Sequence, residues 1–145
     1  MNTKNLILAS LVGGAVNLII ANVPFISLVN LLLCAGFWGS AVLAVWLYFR
    51  MTGSVTLGQA VAIGTLAGFW AGLFGFLLSF VGLAGASALL NSYKSILPAD
   101  ASVQMPADAG MAFTLGGVCF DIVFGTIGGL VGGLIFRNRN KPAAS

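Results

Sequence analysis

Four long apolar runs, separated by short polar segments, dominate the pattern of this sequence. They cover about residues 5–21, 27–49, 57–81 and 111–136. A helix rises about 1.5 Å per residue, so about 20 apolar residues cross the hydrocarbon core of a bilayer. Backbone groups that lack water must bond within their own segment, and no alternating pattern indicates a barrel. The pattern predicts an all-α, polytopic membrane protein, with residues 1–145 forming one compact bundle of four transmembrane helices.

The polar segments predict how the helices are joined. A turn is expected at Thr52-Gly53-Ser54. Thr56, followed three residues later by Gln59, has the spacing of a capping box at the start of the third helix. Residues 86–97 carry one apolar face, which predicts a short interfacial helix ahead of an outer loop assigned to 91–110.

Small residues recur at every fourth position in the third and fourth runs. Small side chains let helix backbones approach closely in lipid, where the hydrophobic effect gives helices little reason to associate. We therefore expect glycine-ladder packing, as in a glycine zipper, within the chain rather than between subunits. The ladder glycines are Gly64, Gly68, Gly72, Gly117, Gly125, Gly129 and Gly133.

Asp121 is an acid in the middle of the fourth run, on the same stripe as its glycines. A carboxylate at the bilayer centre costs about 2.5–3.5 kcal/mol on insertion scales. No basic side chain lies in a run, so burial favours the neutral acid. Asn17 and Asn30 are polar candidates that could reach it from other helices. Two hypotheses follow for Asp121, a structural hydrogen-bond donor that locks the bundle and a proton or cation site.

Composition and charge support a membrane location. Only 6% of the residues are charged, against about 25% in a typical soluble domain. The net charge of +3 does not indicate a nucleic-acid partner, and the expected partner is the lipid bilayer. By the positive-inside rule, both termini are predicted in the cytoplasm, with the protein in the cytoplasmic (inner) membrane. The basic residues that fall on that side are Lys4, Arg50, Arg137, Arg139 and Lys141.

The sequence offers little for catalysis. It contains no His and no Glu, and its three Asp and two Cys form neither a triad nor a zinc-site pattern. No catalytic residue, metal ligand or cofactor is therefore predicted, and the protein is not expected to be an enzyme. Cys34 and Cys119 are expected to be buried free thiols, since a disulfide would need the second and fourth helices to be neighbours.

Three segments, residues 24–26 with 33–39, 54–60 and 128–137, resemble a loose group of small prokaryotic four-helix integral membrane proteins. The resemblance implies a bacterial-type cytoplasmic membrane and supplies no activity. The leading hypothesis is a non-enzymatic structural or accessory subunit, as a homo-oligomer or with a membrane-protein partner. The alternative is a small oligomeric transporter or channel that uses Asp121.

Overall fold

The computed structural model describes residues 3–22, 35–80 and 107–137, and these ranges form four α-helices. Helix α1 covers Thr3–Asn22, α2 covers Ala35–Thr52, α3 covers Leu57–Phe80 and α4 covers Ala107–Arg137. The prediction of an all-α protein with four packed helices is confirmed at this level.

Several predicted boundaries differ from the structure or lie outside the described residues. Helix α4 begins at Ala107, whereas the outer loop was predicted to extend to residue 110. Pro106 explains an earlier start, because proline is well placed beside the first helical residue and poorly placed inside a helix. The predicted interfacial helix at 86–97 lies outside the described residues, as does the start of the second predicted span.

Three of the four helices are long and apolar enough to cross a membrane. The candidate spans are Thr3–Ile20, Leu57–Leu78 and Leu115–Arg137, of 18, 22 and 23 residues. Large apolar side chains, such as Leu8, Trp38 and Leu134, are exposed on the outside of the bundle. Such a surface is suited to lipid and not to water. The protein is thus a small multi-pass helical membrane protein.

The helices form a bundle in which α1 and α4 lie at opposite corners. Helix α3 packs most extensively against α4, α1 packs against α3 and α2, and α2 packs against α4. Helices α2 and α3 contact each other across the other diagonal. The core between the helices combines four alanines with six larger apolar residues. It includes Leu6, Ala9, Ala44, Val45, Tyr48, Val55, Ala60, Ile63, Ala67 and Phe136.

The connection between α2 and α3 follows the predicted turn. Gly53 has a φ of +75°, a left-handed conformation that glycine adopts without steric cost, and its amide donates to the Phe49 carbonyl at 2.8 Å. The amide of Thr56 donates to Gln59 Oε1 at 3.0 Å, and the Gln59 amide donates to Thr56 Oγ1 at 3.3 Å. These reciprocal bonds confirm the predicted capping box.

Candidate functional site

The polar centre of the bundle is a pair formed by Asn17 of α1 and Asp121 of α4. Asn17 Nδ2 donates a hydrogen bond to Asp121 Oδ1 at 3.3 Å. Because α1 and α4 lie at opposite corners, this bond crosses the interior of the bundle. The structure therefore brings together two of the three predicted polar residues. The third, Asn30, lies outside the described residues.

Asn17 and Asp121 differ in burial and in hydrogen bonding. The Asn17 side chain is only 4% exposed, whereas Asp121 is half-buried. Asn17 Oδ1 is buried and has no hydrogen-bond partner in the described part of the chain. A buried polar atom without a partner is uncommon in folded proteins and calls for a physical explanation.

The pair lies level with the middle of the α3 span, but six residues inside the start of the α4 span and three residues before the end of the α1 span. A Cβ atom placed on Gly68 of α3 would overlap the Asp121 carbonyl oxygen, so these two residues are at the same level. Gly68 is eleven residues after Leu57 and ten before Leu78, about 15 Å from each end of that span at 1.5 Å per residue. Asp121 is therefore level with the middle of α3 and nearer the start than the end of its own span.

No positive charge accompanies Asp121 in this region. The described helices place their basic residues, Lys4, Arg50 and Arg137, at the helix ends. Lys4 is 13 residues from Asn17 in α1, and Arg137 is 16 residues from Asp121 in α4, about 20 Å or more in each case. The hydrogen bond from Asn17 is thus the polar contact that the structure gives this acid.

A second polar contact, which the sequence analysis missed, joins α3 and α4. The hydroxyl oxygens of Thr65 and Thr126 are 2.9 Å apart. Each hydroxyl is also within hydrogen-bond distance of a carbonyl of its own helix, at Val61 for Thr65 and at Ile122 for Thr126. A signal was present in the sequence, since each threonine directly follows a ladder glycine, Gly64 or Gly125.

The predicted ladder glycines occupy two kinds of position. A Cβ on most of them would meet backbone or side-chain atoms of the facing helix within 3 Å, as at Gly64, which would overlap the Gly125 carbonyl oxygen. Gly117 is exposed, and none of the described residues comes within 4 Å of a Cβ placed there. The glycines with such contacts are Gly64, Gly68, Gly72, Gly125, Gly129 and Gly133.

Glycines of α4 outside the predicted ladder also lie close to a neighbouring helix. Gly128 faces Trp38 and Ala41 of α2, and Gly132 lies against Val45 of the same helix. These two glycines are also four residues apart, on a stripe displaced by one position from the predicted ladder. Their four-residue spacing in the sequence indicates that α4 contacts a second helix.

Cys119 differs from the prediction, because it is exposed on α4 and not buried. Cys34 lies outside the described residues, so the predicted absence of a disulfide stays a prediction. Among the described residues there is no group of three or more His, Cys, Asp or Glu side chains that could hold a metal ion.

Comparison with known protein families, with curated proteins and with solved structures finds no match to this chain. The resemblance to small prokaryotic four-helix proteins therefore gives no family assignment. The fold and the site therefore define only a class of protein. It is a small multi-pass helical membrane protein with a polar pair inside its bundle.

Proposed function

We propose that this protein is a non-enzymatic structural or accessory component of the cytoplasmic (inner) membrane. The observation that carries the proposal is the close backbone contact between α3 and α4. A Cβ on Gly64 would lie 2.6 Å from the Cα of Gly129, and one on Gly125 would lie 2.5 Å from the Gly64 carbonyl oxygen. Only glycine allows backbones to approach this closely, which supports glycine-ladder packing as the basis of the bundle.

The distribution of charge supports an orientation with both ends of the chain in the cytoplasm. The rings of Phe49 and Phe136 stack with centroids 5.7 Å apart, so the C-terminal ends of α2 and α4 meet at one end of the bundle. Arg50 and Arg137 follow these two rings. Leu6, two residues after Lys4, belongs to the same core cluster as Phe136. The positive-inside rule places this basic end in the cytoplasm.

The outward face of α4 is the surface on which we expect a partner to bind. It carries an apolar stripe of exposed residues that includes Gly116, where a neighbouring helix could approach closely. The large exposed side chains on this face are Leu115, Phe120, Val123, Ile127, Leu130 and Leu134. A second copy of the chain and another membrane protein are the two expected occupants.

Site-specific photo-crosslinking in native membranes tests this proposal. A photoreactive amino acid at Val123 of α4, which is 54% exposed, should give a discrete protein adduct. The same probe at Leu77 of α3, which is 53% exposed, is the matched control and should give mainly lipid adducts. An adduct of twice the chain mass indicates a homo-oligomer, and another mass indicates an accessory subunit. Lipid adducts alone at Val123 would contradict the proposal.

The alternative function is a small transporter or channel in which Asp121 carries protons or cations. The half-buried state of the Asp121 side chain favours it, since an acid fully enclosed by protein could not exchange ions. Asp121→Asn keeps the shape of the side chain and removes its titration. Ion or proton flux in proteoliposomes that is lost in this variant would favour transport, and the absence of flux in the wild type would favour the accessory role.

A further inference from the structure

The unpartnered oxygen of Asn17 points to a bound proton on Asp121. An asparagine amide offers two N–H donors on one side and a carbonyl acceptor on the other. The structure accounts for one donor, which bonds Asp121 Oδ1, and leaves the buried acceptor Oδ1 without a partner. We propose that Asp121 is a proton-binding site, and that its neutral carboxyl group and the Asn17 amide form a ring of two hydrogen bonds.

The two groups are complementary only when Asp121 is protonated. A carboxylic acid has one carbonyl acceptor and one O–H donor, which match the N–H donor and the carbonyl acceptor of a primary amide. The Asn17 N–H bond to Asp121 Oδ1 is the first bond of this ring. In the second bond, the Oδ2 hydroxyl of Asp121 donates to Asn17 Oδ1. An ionised carboxylate is an acceptor only, so it would leave Asn17 Oδ1 unsatisfied and place two negative oxygens near it.

The surrounding helices supply no cation that could take the place of the proton. In the described residues, α3 carries no titratable side chain. Helix α1 has Lys4, and α2 has Tyr48 and Arg50, all near the basic end of the bundle. Helix α4 has Asp108 and Arg137 near its ends, together with Cys119, which is exposed. A proton from the aqueous phase is therefore the ligand that both satisfies the amide and removes the charge.

The ring makes the contact between opposite corners of the bundle dependent on pH. When the proton leaves, one of the two hydrogen bonds between α1 and α4 is lost and a charge appears in the interior. A group that holds its proton more firmly in the folded state stabilises the fold at low pH, and this stabilisation is lost as pH rises. The inference does not rest on the proposed accessory role and holds for either function.

Infrared spectroscopy of the purified full chain in lipid tests the inference directly. The chain has three aspartates, and the difference between the wild type and Asp121→Asn isolates the signal of Asp121. We expect a protonated carboxyl band at neutral pH that is absent from Asp121→Asn and is retained in Asp108→Asn, the matched control on the same helix. A carboxylate band of Asp121 at neutral pH would overturn the inference.

Thermal unfolding as a function of pH provides the second readout. Asparagine at position 121 can form the same two-bond ring with Asn17, through its own N–H and carbonyl groups. Asp121→Asn should therefore fold and unfold at a temperature that does not change with pH, whereas the wild type should lose stability as pH is raised. A wild type that follows the same pH profile as Asp121→Asn would refute a proton at this site.

Discussion

A methyl group added at Gly68 tests the close contact between α3 and α4. The Cβ atom of Gly68→Ala would overlap the Asp121 carbonyl oxygen and lie 2.8 Å from its carbonyl carbon and 3.0 Å from the Cα of Ile122. All three are backbone atoms of α4, so no side-chain rotation can relieve the overlap. Ordinary van der Waals contact begins at 3.4 Å. To reach it at the Asp121 carbonyl carbon alone, the two helices must move apart by 3.4 − 2.8 = 0.6 Å.

The energetic cost follows from the rigidity of the two helices. Overpacking a close-packed interior costs about 1–3 kcal/mol, and Gly68 belongs at the upper part of this range because a whole helix must move. The movement also stretches the 2.9 Å contact between Thr65 and Thr126 and the 3.3 Å bond between Asn17 and Asp121. Helix propensity acts in the opposite direction, since alanine is favoured over glycine inside a helix by about 0.5–1 kcal/mol.

Gly75→Ala is the matched control, because it makes the same change in the same helix. The described residues leave the space around Gly75 free, with no atom within 4 Å of an added Cβ. We expect thermal unfolding in detergent to show a lower stability for Gly68→Ala and an unchanged or slightly higher stability for Gly75→Ala. Equal effects of the two substitutions, in either direction, would refute the close contact between α3 and α4.

Three further predictions concern other parts of the chain. A double-mutant cycle of Thr65→Val and Thr126→Val should show a coupling of about 0.6 kcal/mol, the average for transmembrane hydrogen bonds, whereas additive effects would argue against their contact. In a cysteine-free background, Ser102→Cys should react with an impermeant thiol reagent in intact cells and Ser145→Cys should not, and the reverse pattern would contradict the proposed orientation. Cys119 should be modified by a small apolar thiol reagent without unfolding, because it is exposed on α4, and protection until unfolding would contradict this placement.

The sequence predicted the helices well, because the length of an apolar run and the chemistry of its caps are local properties. The capping box of Thr56 and Gln59 is such a case, since both partners lie within one turn. The predicted start of α4 is too late because residues 107–110 are small or polar, with the acid Asp108 among them. Their helical state depends on Pro106 and on the helix that follows, more than on hydrophobicity.

The arrangement of the helices was much less accessible from the sequence. A ladder of glycines predicts that a helix has a close-packing face, but it does not identify the facing helix. Gly117 fits the repeat and yet is exposed, whereas Gly128 is outside the repeat and contacts α2. From the sequence, Asp121 could have paired with a polar residue of any other helix. The structure shows that its partner is Asn17 of α1, across the bundle.

The most direct test of the account is a disulfide between α3 and α4 in native membranes. Thr65→Cys and Thr126→Cys, introduced together in a cysteine-free background, replace hydroxyl oxygens that are 2.9 Å apart. Mild oxidation should close an intramolecular disulfide between them. Thr65→Cys combined with Ile127→Cys is the control and should stay reduced, because Ile127 is 46% exposed on the outward face of α4. Failure of the first pair to oxidise, or equal oxidation of both pairs, would contradict the packing of α3 against α4.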